Sequence, residues 1–154
     1  MKQLIPAFWK HLLKKYGWQL VYGHAIGRRG SARNKLFVTG LHHPQQQPLN
    51  VFTQHNEDGI LLWLLSHTGH GSRFFADIGS NDCINSNCAN LAFHHQWSGI
   101  FIDGAARLIN RGKYIYQAHF GTAAQRFRFL EAMVTPHNIN QLLQQQELPQ
   151  VQLL

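Results

Sequence analysis

Phe74-Phe75-Ala76-Asp77-Ile78-Gly79-Ser80-Asn81-Asp82-Cys83 is the stretch whose reading decides the fold. Phe74 to Ile78 is short, mostly apolar and bounded by glycine, the pattern of a buried strand. It carries one acid near its end, and Gly79 then turns the chain into a helix predicted from Asn85 to Phe93. The same unit follows twice more. Gly99-Ile100-Phe101-Ile102-Asp103 is a second buried strand, and Ala105 to Tyr116 a second helix. Phe127 to Val134 is a third strand, and Asn138 to Gln146 a third helix with Thr135 and Pro136 at its entrance. Val151 to Leu154 reads as the opening of a fourth strand. Strands alternating with helices at this spacing imply an α/β fold with a Rossmann-like, doubly wound parallel sheet.

Upstream the pattern changes. Glu57 to Leu65 reads as a short helix burying Leu61, Leu62 and Leu65, ended by Gly69, Gly71 and Ser72. Residues 17–56 are rich in Gly, Arg, Gln, His and Pro without a sustained period, and are expected to be irregular. Residues 3–16 place Leu4, Ile5, Phe8, Trp9, Leu12, Leu13 and Tyr16 at three- and four-residue spacing, with Lys10, Lys14 and Lys15 between them. That is a basic amphipathic helix. The chain has 154 residues and a net charge of +7, but the charge is divided unevenly. Residues 1–56 hold eight Lys or Arg and no acid, while residues 57–154 hold six basic and seven acidic residues. Two parts follow: a basic N-terminal extension over 1–56 and an α/β domain over 57–154.

The chemistry concentrates where strands end. Ligands of open parallel sheets sit beyond the carboxyl ends of the strands. Asp77 and Gly79 stand there on the first strand, Asp103 and Gly104 on the second. Gly79 lets a backbone approach a ligand where a Cβ would clash, and an acid ending the second strand can accept from both hydroxyls of a ribose. Either acid alone could simply cap a helix. The pair, placed across one strand–helix–strand unit, fits a ribose-bearing cofactor. There is no G-x-G-x-x-G pattern, and Asp82 near the helix start would repel a pyrophosphate, so the expected cofactor carries no phosphate.

At these residues the sequence resembles class I S-adenosylmethionine-dependent methyltransferases, particularly the FkbM-like group. The marks run in order from about Gln54 to the C-terminus: Glu57-Asp58-Gly59-Ile60, Asp77-Ile78-Gly79-Ser80-Asn81-Asp82, Ser86-Asn87 with Asn90-Leu91, Trp97-Ser98-Gly99-Ile100-Phe101-Ile102-Asp103-Gly104, and Asn138-Ile139-Asn140 with Leu142-Leu143. The resemblance implies a sheet of the class I methyltransferase type with S-adenosylmethionine as cofactor. Asp77 and Gly79 would lie near its methionine part, with Ser80, Asn81 and Asp82 on the same turn. Asp103, followed by Gly104, would hold the ribose hydroxyls, and Glu131 would lie near the adenine. Methyl transfer to an oxygen of a sugar or small metabolite is the implied activity, with no catalytic base assignable. Cys83 stands where the motif usually carries another glycine, which implies a tighter turn or a narrower pocket. The fourth strand of that family would begin where this sequence ends. The resemblance therefore covers an N-terminal half, with an open edge on the first strand and an activity in question.

Other patterns suggest other classes. Cys83, Cys88, His94 and His95 form a C-x4-C-x5-H-H run, looser than usual zinc spacing, and buried thiols with helix-terminal imidazoles account for it. No metal site is expected. The basic extension, with Arg28, Arg29, Arg33 and Lys35 beyond the helix and Trp9, Tyr16, Trp18 and Tyr22 interleaved, offers a non-catalytic module within residues 2–35 for RNA or an anionic membrane. A helix packed on the domain with solvated charges is the plainer account. An inactive truncated fragment is the remaining alternative. Two cysteines and the lack of a signal-peptide apolar stretch suggest the cytoplasm.

Overall fold

Nine elements follow one another in the structure, a computed structural model that describes residues 7–27 and 48–151. They are α1 (Ala7–Ile26), α2 (Glu57–Thr68), β1 (Phe74–Ile78), α3 (Ala89–His94), β2 (Ser98–Asp103), α4 (Ala106–Phe120), a 3-10 segment (Gly121–Arg126), β3 (Phe127–Glu131) and α5 (Ile139–Gln145). The three strands form one parallel sheet in the order β1-β2-β3. Asp77 lies beside Phe101 in the register, and Asp103 beside Glu131.

Alternation along the strands builds a core on each face of the sheet. Phe75, Phe101 and Phe127 point to one side, where they pack with Trp97, Leu91, Ile109, Ile115 and Tyr116. Phe74, Ala76, Ile100 and Ile102 point to the other, against Leu143, Leu148 and Val151. Helices on both faces leave the central strand β2 no polar surface, which is why Ile100, Phe101 and Ile102 form an unbroken apolar run. The protein is thus an α/β fold, a three-stranded parallel sheet flanked by helices, compatible with a Rossmann-like arrangement.

Three expectations need correcting. Residues 17–26, expected to be irregular, continue α1. Gly17 and Gly23 suggested a break, but Tyr22 and Ala25 are buried, and Trp18 and Ile26 pack beside them. Tertiary contact outweighs the ~1 kcal/mol that each helical glycine costs. The helix expected from Asn85 to Phe93 begins at Ala89 instead. The amides of Ile84 and Asn85 are taken by the Asp82 carboxylate, at 3.2 and 3.0 Å, and that of Cys88 by Asp77, at 3.3 Å. Side-chain acceptors here compete with helical bonding. The third strand stops at Glu131 rather than Val134, where Asn138 closes a turn by accepting from the Thr135 amide and donating to the Met133 carbonyl.

The order β1-β2-β3 leaves β1 at one edge of the sheet, paired with β2 alone among the described residues, as expected, and β3 at the other, with Arg128 and Glu131 exposed and Phe129 and Leu130 half-buried. Residues 152–154 and the stretches 1–6 and 28–47, including Arg28, Arg29, Arg33 and Lys35, lie outside the described residues.

Candidate functional site

A crevice of about 440 Å³ opens beyond the carboxyl ends of the strands. Ile78 and Gly79 from β1, Ile102 to Ala105 from β2, and Ala132 to Val134 from β3 line it. One polar side chain, Asp103, stands among mostly apolar neighbours. Its carboxylate is held from two sides: the Asn81 amide donates to Oδ2 at 2.9 Å and the Ala105 amide to Oδ1 at 2.8 Å. An ionised carboxylate has about four acceptor positions, so two remain for a ligand's hydroxyls.

The glycine turn is welded to β2. The amides of Gly79 and Ser80 both donate to the Ile102 carbonyl, at 2.8 and 3.1 Å, and Asn81 donates to Asp103. Three successive N–H groups that could cradle a phosphate are therefore already committed. This geometry opposes pyrophosphate binding by a route independent of the missing glycine pattern. Gly79 has φ of 74°, a left-handed conformation, and nothing lies within 4 Å of where its Cβ would be. The turn thus keeps open space beside Asp103.

The residues singled out from sequence separate into two groups. Gly79, Asp103 and Gly104 line the crevice. Asp77, Ser80, Asn81, Asp82 and Glu131 do not. Asp77 is half-buried and accepts the Ser86 hydroxyl at 2.7 Å and the Cys88 amide, fixing the turn before α3. Burial pushes its carboxyl above the usual carboxylate range, and those hydrogen bonds pull the other way. Ser80 is buried and bonds back to Ile102. Asn81 is exposed and contributes its backbone amide. Glu131 ends β3 exposed to solvent.

Asp82 is a different kind of residue from Asp103. It is 2% exposed and accepts the Tyr22 hydroxyl at 2.7 Å as well as the Ile84 and Asn85 amides. The Arg111 guanidinium lies 3.7 Å away and stacks over the Tyr22 ring. Burial, then the hydrogen bond and charge of Asp82, raise the Tyr22 phenol. Asp82 therefore ties α1 and α4 to the glycine turn.

Cys83, expected to tighten the turn or narrow the pocket, does not line the crevice. Its φ is 59°, and its side chain is fully buried against α4. A Cβ on Gly112 would come within 2.6 Å of the Cys83 Sγ and 2.7 Å of the Asp82 carbonyl. Gly112 gives up its side chain so that Cys83 can keep one. The Tyr116 hydroxyl donates to the Cys83 carbonyl at 3.0 Å. Burial lifts the thiol to about 12, with the Ser80 hydrogen bond opposing, so it stays protonated and unreactive at neutral pH.

Sequence reasoning gave no role to Arg111 or Gly112, and took Asp58 only as a mark of the resemblance and Tyr22 only as an aromatic of the basic extension. Asp58 is 1% exposed at the start of α2. Its Oδ2 accepts the amides of Val51, Phe52 and Thr53 and the Thr53 hydroxyl, clasping segment 51–53 to the helix. The Trp18, Tyr22, Ala25, Ile26 spacing was the available signal for α1's inner face. A buried acid like Asp58 leaves no such signal. Among the described residues, no group of three or more His, Cys, Asp or Glu could hold a metal ion, and no helix is long and apolar enough to cross a membrane. No family model, no curated protein and no solved structure matches the chain.

Proposed function

We propose that the crevice is a cofactor site for S-adenosylmethionine and that the sheet is of the class I methyltransferase type. The observation that carries this reading is Asp103. It ends the second strand, is clamped by the Asn81 and Ala105 amides, and keeps acceptor capacity beside the open space at Gly79. That is the arrangement a ribose diol needs. Ile78, Ile102, Ala132, Met133 and Val134 would contact the apolar faces of the nucleoside. The committed amides of 79–81 suit a cofactor without phosphate.

Bound there, the cofactor supplies a methyl group on a sulfonium centre. The chain's own residues fix the ribose through Asp103, keep the turn rigid through Asp82 and Cys83, and exclude water with the apolar walls. The acceptor in this reading is an oxygen of a sugar or small metabolite, carried by the resemblance of the motifs alone.

Calorimetric titration of the folded chain with S-adenosylmethionine and with S-adenosylhomocysteine tests the reading. Saturable heat with either supports it. No heat from both, with an intact circular-dichroism spectrum, overturns it.

A further inference from the structure

The loops at the amino ends of the strands, opposite the crevice, enclose a second cleft of about 430 Å³. That size is within the range of small-molecule sites. Its floor is apolar and buried: Leu65 from α2, Leu91 from α3 and Trp97 ahead of β2. Its rim is basic. Arg73, the residue before β1, stands there with His70, His94 and His95. Burial, then the charges of His94, His70 and Arg73, bring the His95 imidazole down to about 4, so it is neutral at pH 7. All seven of the chain's acids lie among the described residues, and none lines the cleft. Among the described residues the one ion pair is Arg111 with Asp82, so no acidic side chain answers Arg73.

The backbone is bent to build this rim. Arg73 has φ of 52° and Gln96, also on the cleft, 60°, both in the left-handed region that side chains rarely adopt. Hydrogen bonds hold them there. The Arg73 amide donates to the His70 carbonyl and the Ser98 amide to the Arg73 carbonyl, each at 3.1 Å. The His95 and Trp97 amides, on either side of Gln96, share the Leu91 carbonyl at 3.1 and 3.2 Å. Glycine would make either turn without strain, whereas arginine at the first puts a guanidinium on the rim. Residues kept in such conformations cluster at ligand sites.

We propose that this cleft binds a small organic monocarboxylate, its carboxylate on Arg73 and its apolar body on Leu65, Leu91 and Trp97. A guanidinium keeps its charge across the biological range and presents parallel N–H donors that match a planar carboxylate. With His95 neutral, Arg73 is the rim's one permanent charge, which suits a monoanion better than a polyphosphate. A bare inorganic anion would leave the apolar floor unused. A metal ion does not fit, since among the described residues no three His, Cys, Asp or Glu could hold one. The cleft and the crevice lie at opposite ends of the sheet, so this inference does not rest on the methyltransferase reading.

Amide chemical-shift titration of the full chain with 3-phenylpropionate and with octanoate tests it, with 3-phenylpropanol and inorganic phosphate as comparisons. Either carboxylate moves the Arg73, His95, Gln96 and Trp97 signals saturably, with a dissociation constant of about 1 mM or below. The alcohol and phosphate bind roughly tenfold more weakly or not at all. Arg73→Asn removes the charge and tolerates the left-handed φ, and it weakens carboxylate binding roughly tenfold or more. Should that variant misfold, the comparison of acid with alcohol on the wild type decides alone. Four results overturn the proposal: no saturable shifts with either carboxylate, alcohol or phosphate binding as tightly as the acid, unchanged affinity in the folded variant, or shifts centred on Gly79 and Gly104 at the crevice. A cleft filled by the chain itself gives the first of these.

Discussion

Asp82 and Asp103 invite comparison, because one hydrogen-bonded turn separates them and their environments are opposite. Asp103 stands at the mouth of a crevice, held by two amides and still able to accept more. Asp82 is sealed against α1 and α4, with its acceptor positions taken by a phenol and two amides. Residues adjacent in a motif thus divide their labour. Gly79 to Asn81 shape the open side of the turn, and Asp82 and Cys83 hold the closed side to the core. A string of motif residues is not a string of ligand contacts.

The largest effect that could break this division is at Asp82. Asp82→Ala leaves the Tyr22 hydroxyl without its acceptor and the Ile84 and Asn85 amides without theirs, the Ile84 amide being buried. At ~1–3 kcal/mol for each abandoned group, the loss is on the order of 3 kcal/mol or more. Urea denaturation should show a large drop in midpoint, or no folded baseline. A variant as stable as the wild type would place Asp82 outside the scaffold.

Gly112 sharpens the same point from the facing helix. Gly112→Ala pushes a methyl into the Cys83 Sγ and the Asp82 carbonyl and should cost ~1–3 kcal/mol by overpacking. Cys83→Gly removes the clashing sulfur and relieves the left-handed φ, so the double variant should lose less than the two single losses added together. Strict additivity would refute the contact.

Asp103 should behave in the reverse manner. Asp103→Asn keeps one oxygen acceptor and gives up the charge, so its stability loss should be about 1 kcal/mol. S-adenosylhomocysteine affinity should fall at least tenfold in a calorimetric titration. Stability that collapses while affinity survives would exchange the two residues' roles.

The smallest effect comes from the opposite end of the sheet. His95 sits with Arg73, His70 and His94 around a cleft at the amino ends of β1 and β2. Burial first, then those positive neighbours, bring its imidazole from 6.5 down to about 4. The folded state therefore binds fewer protons than the unfolded chain between these values, and stability is lost as pH falls from 6.5 to about 4. Asp77 works the other way. Its raised carboxyl favours the folded state at low pH, a contribution lost as pH rises above the model-peptide value of 3.8. His95→Gln should flatten the acid-side fall in urea midpoint without touching the behaviour of the crevice. An unchanged profile would assign the fall to other groups.

Much of the fold was legible in the sequence because the two buried strands are apolar runs that glycine ends, and because Asp103 and Gly79 stand where such strands finish. The inner face of α1 was not, since Gly17 and Gly23 hid a helix that Tyr22 and Asp82 hold from 60 residues apart. Nor was the late start of α3, which depends on carboxylates intercepting backbone amides. At the site, position along a strand identified Asp103. No local pattern told that Asp82 turns inward, because burial of an acid is decided by partners such as Tyr22 and Arg111 distant in the chain.

Amide chemical-shift mapping with S-adenosylhomocysteine tests the central claim most directly. The account predicts saturable shifts at Gly79, Asn81, Gly104, Ala105 and Met133, with small changes at Ile84 and Asn85 behind Asp82. No saturable shifts, or shifts centred on Arg73, His94 and His95 at the other end of the sheet, would contradict it.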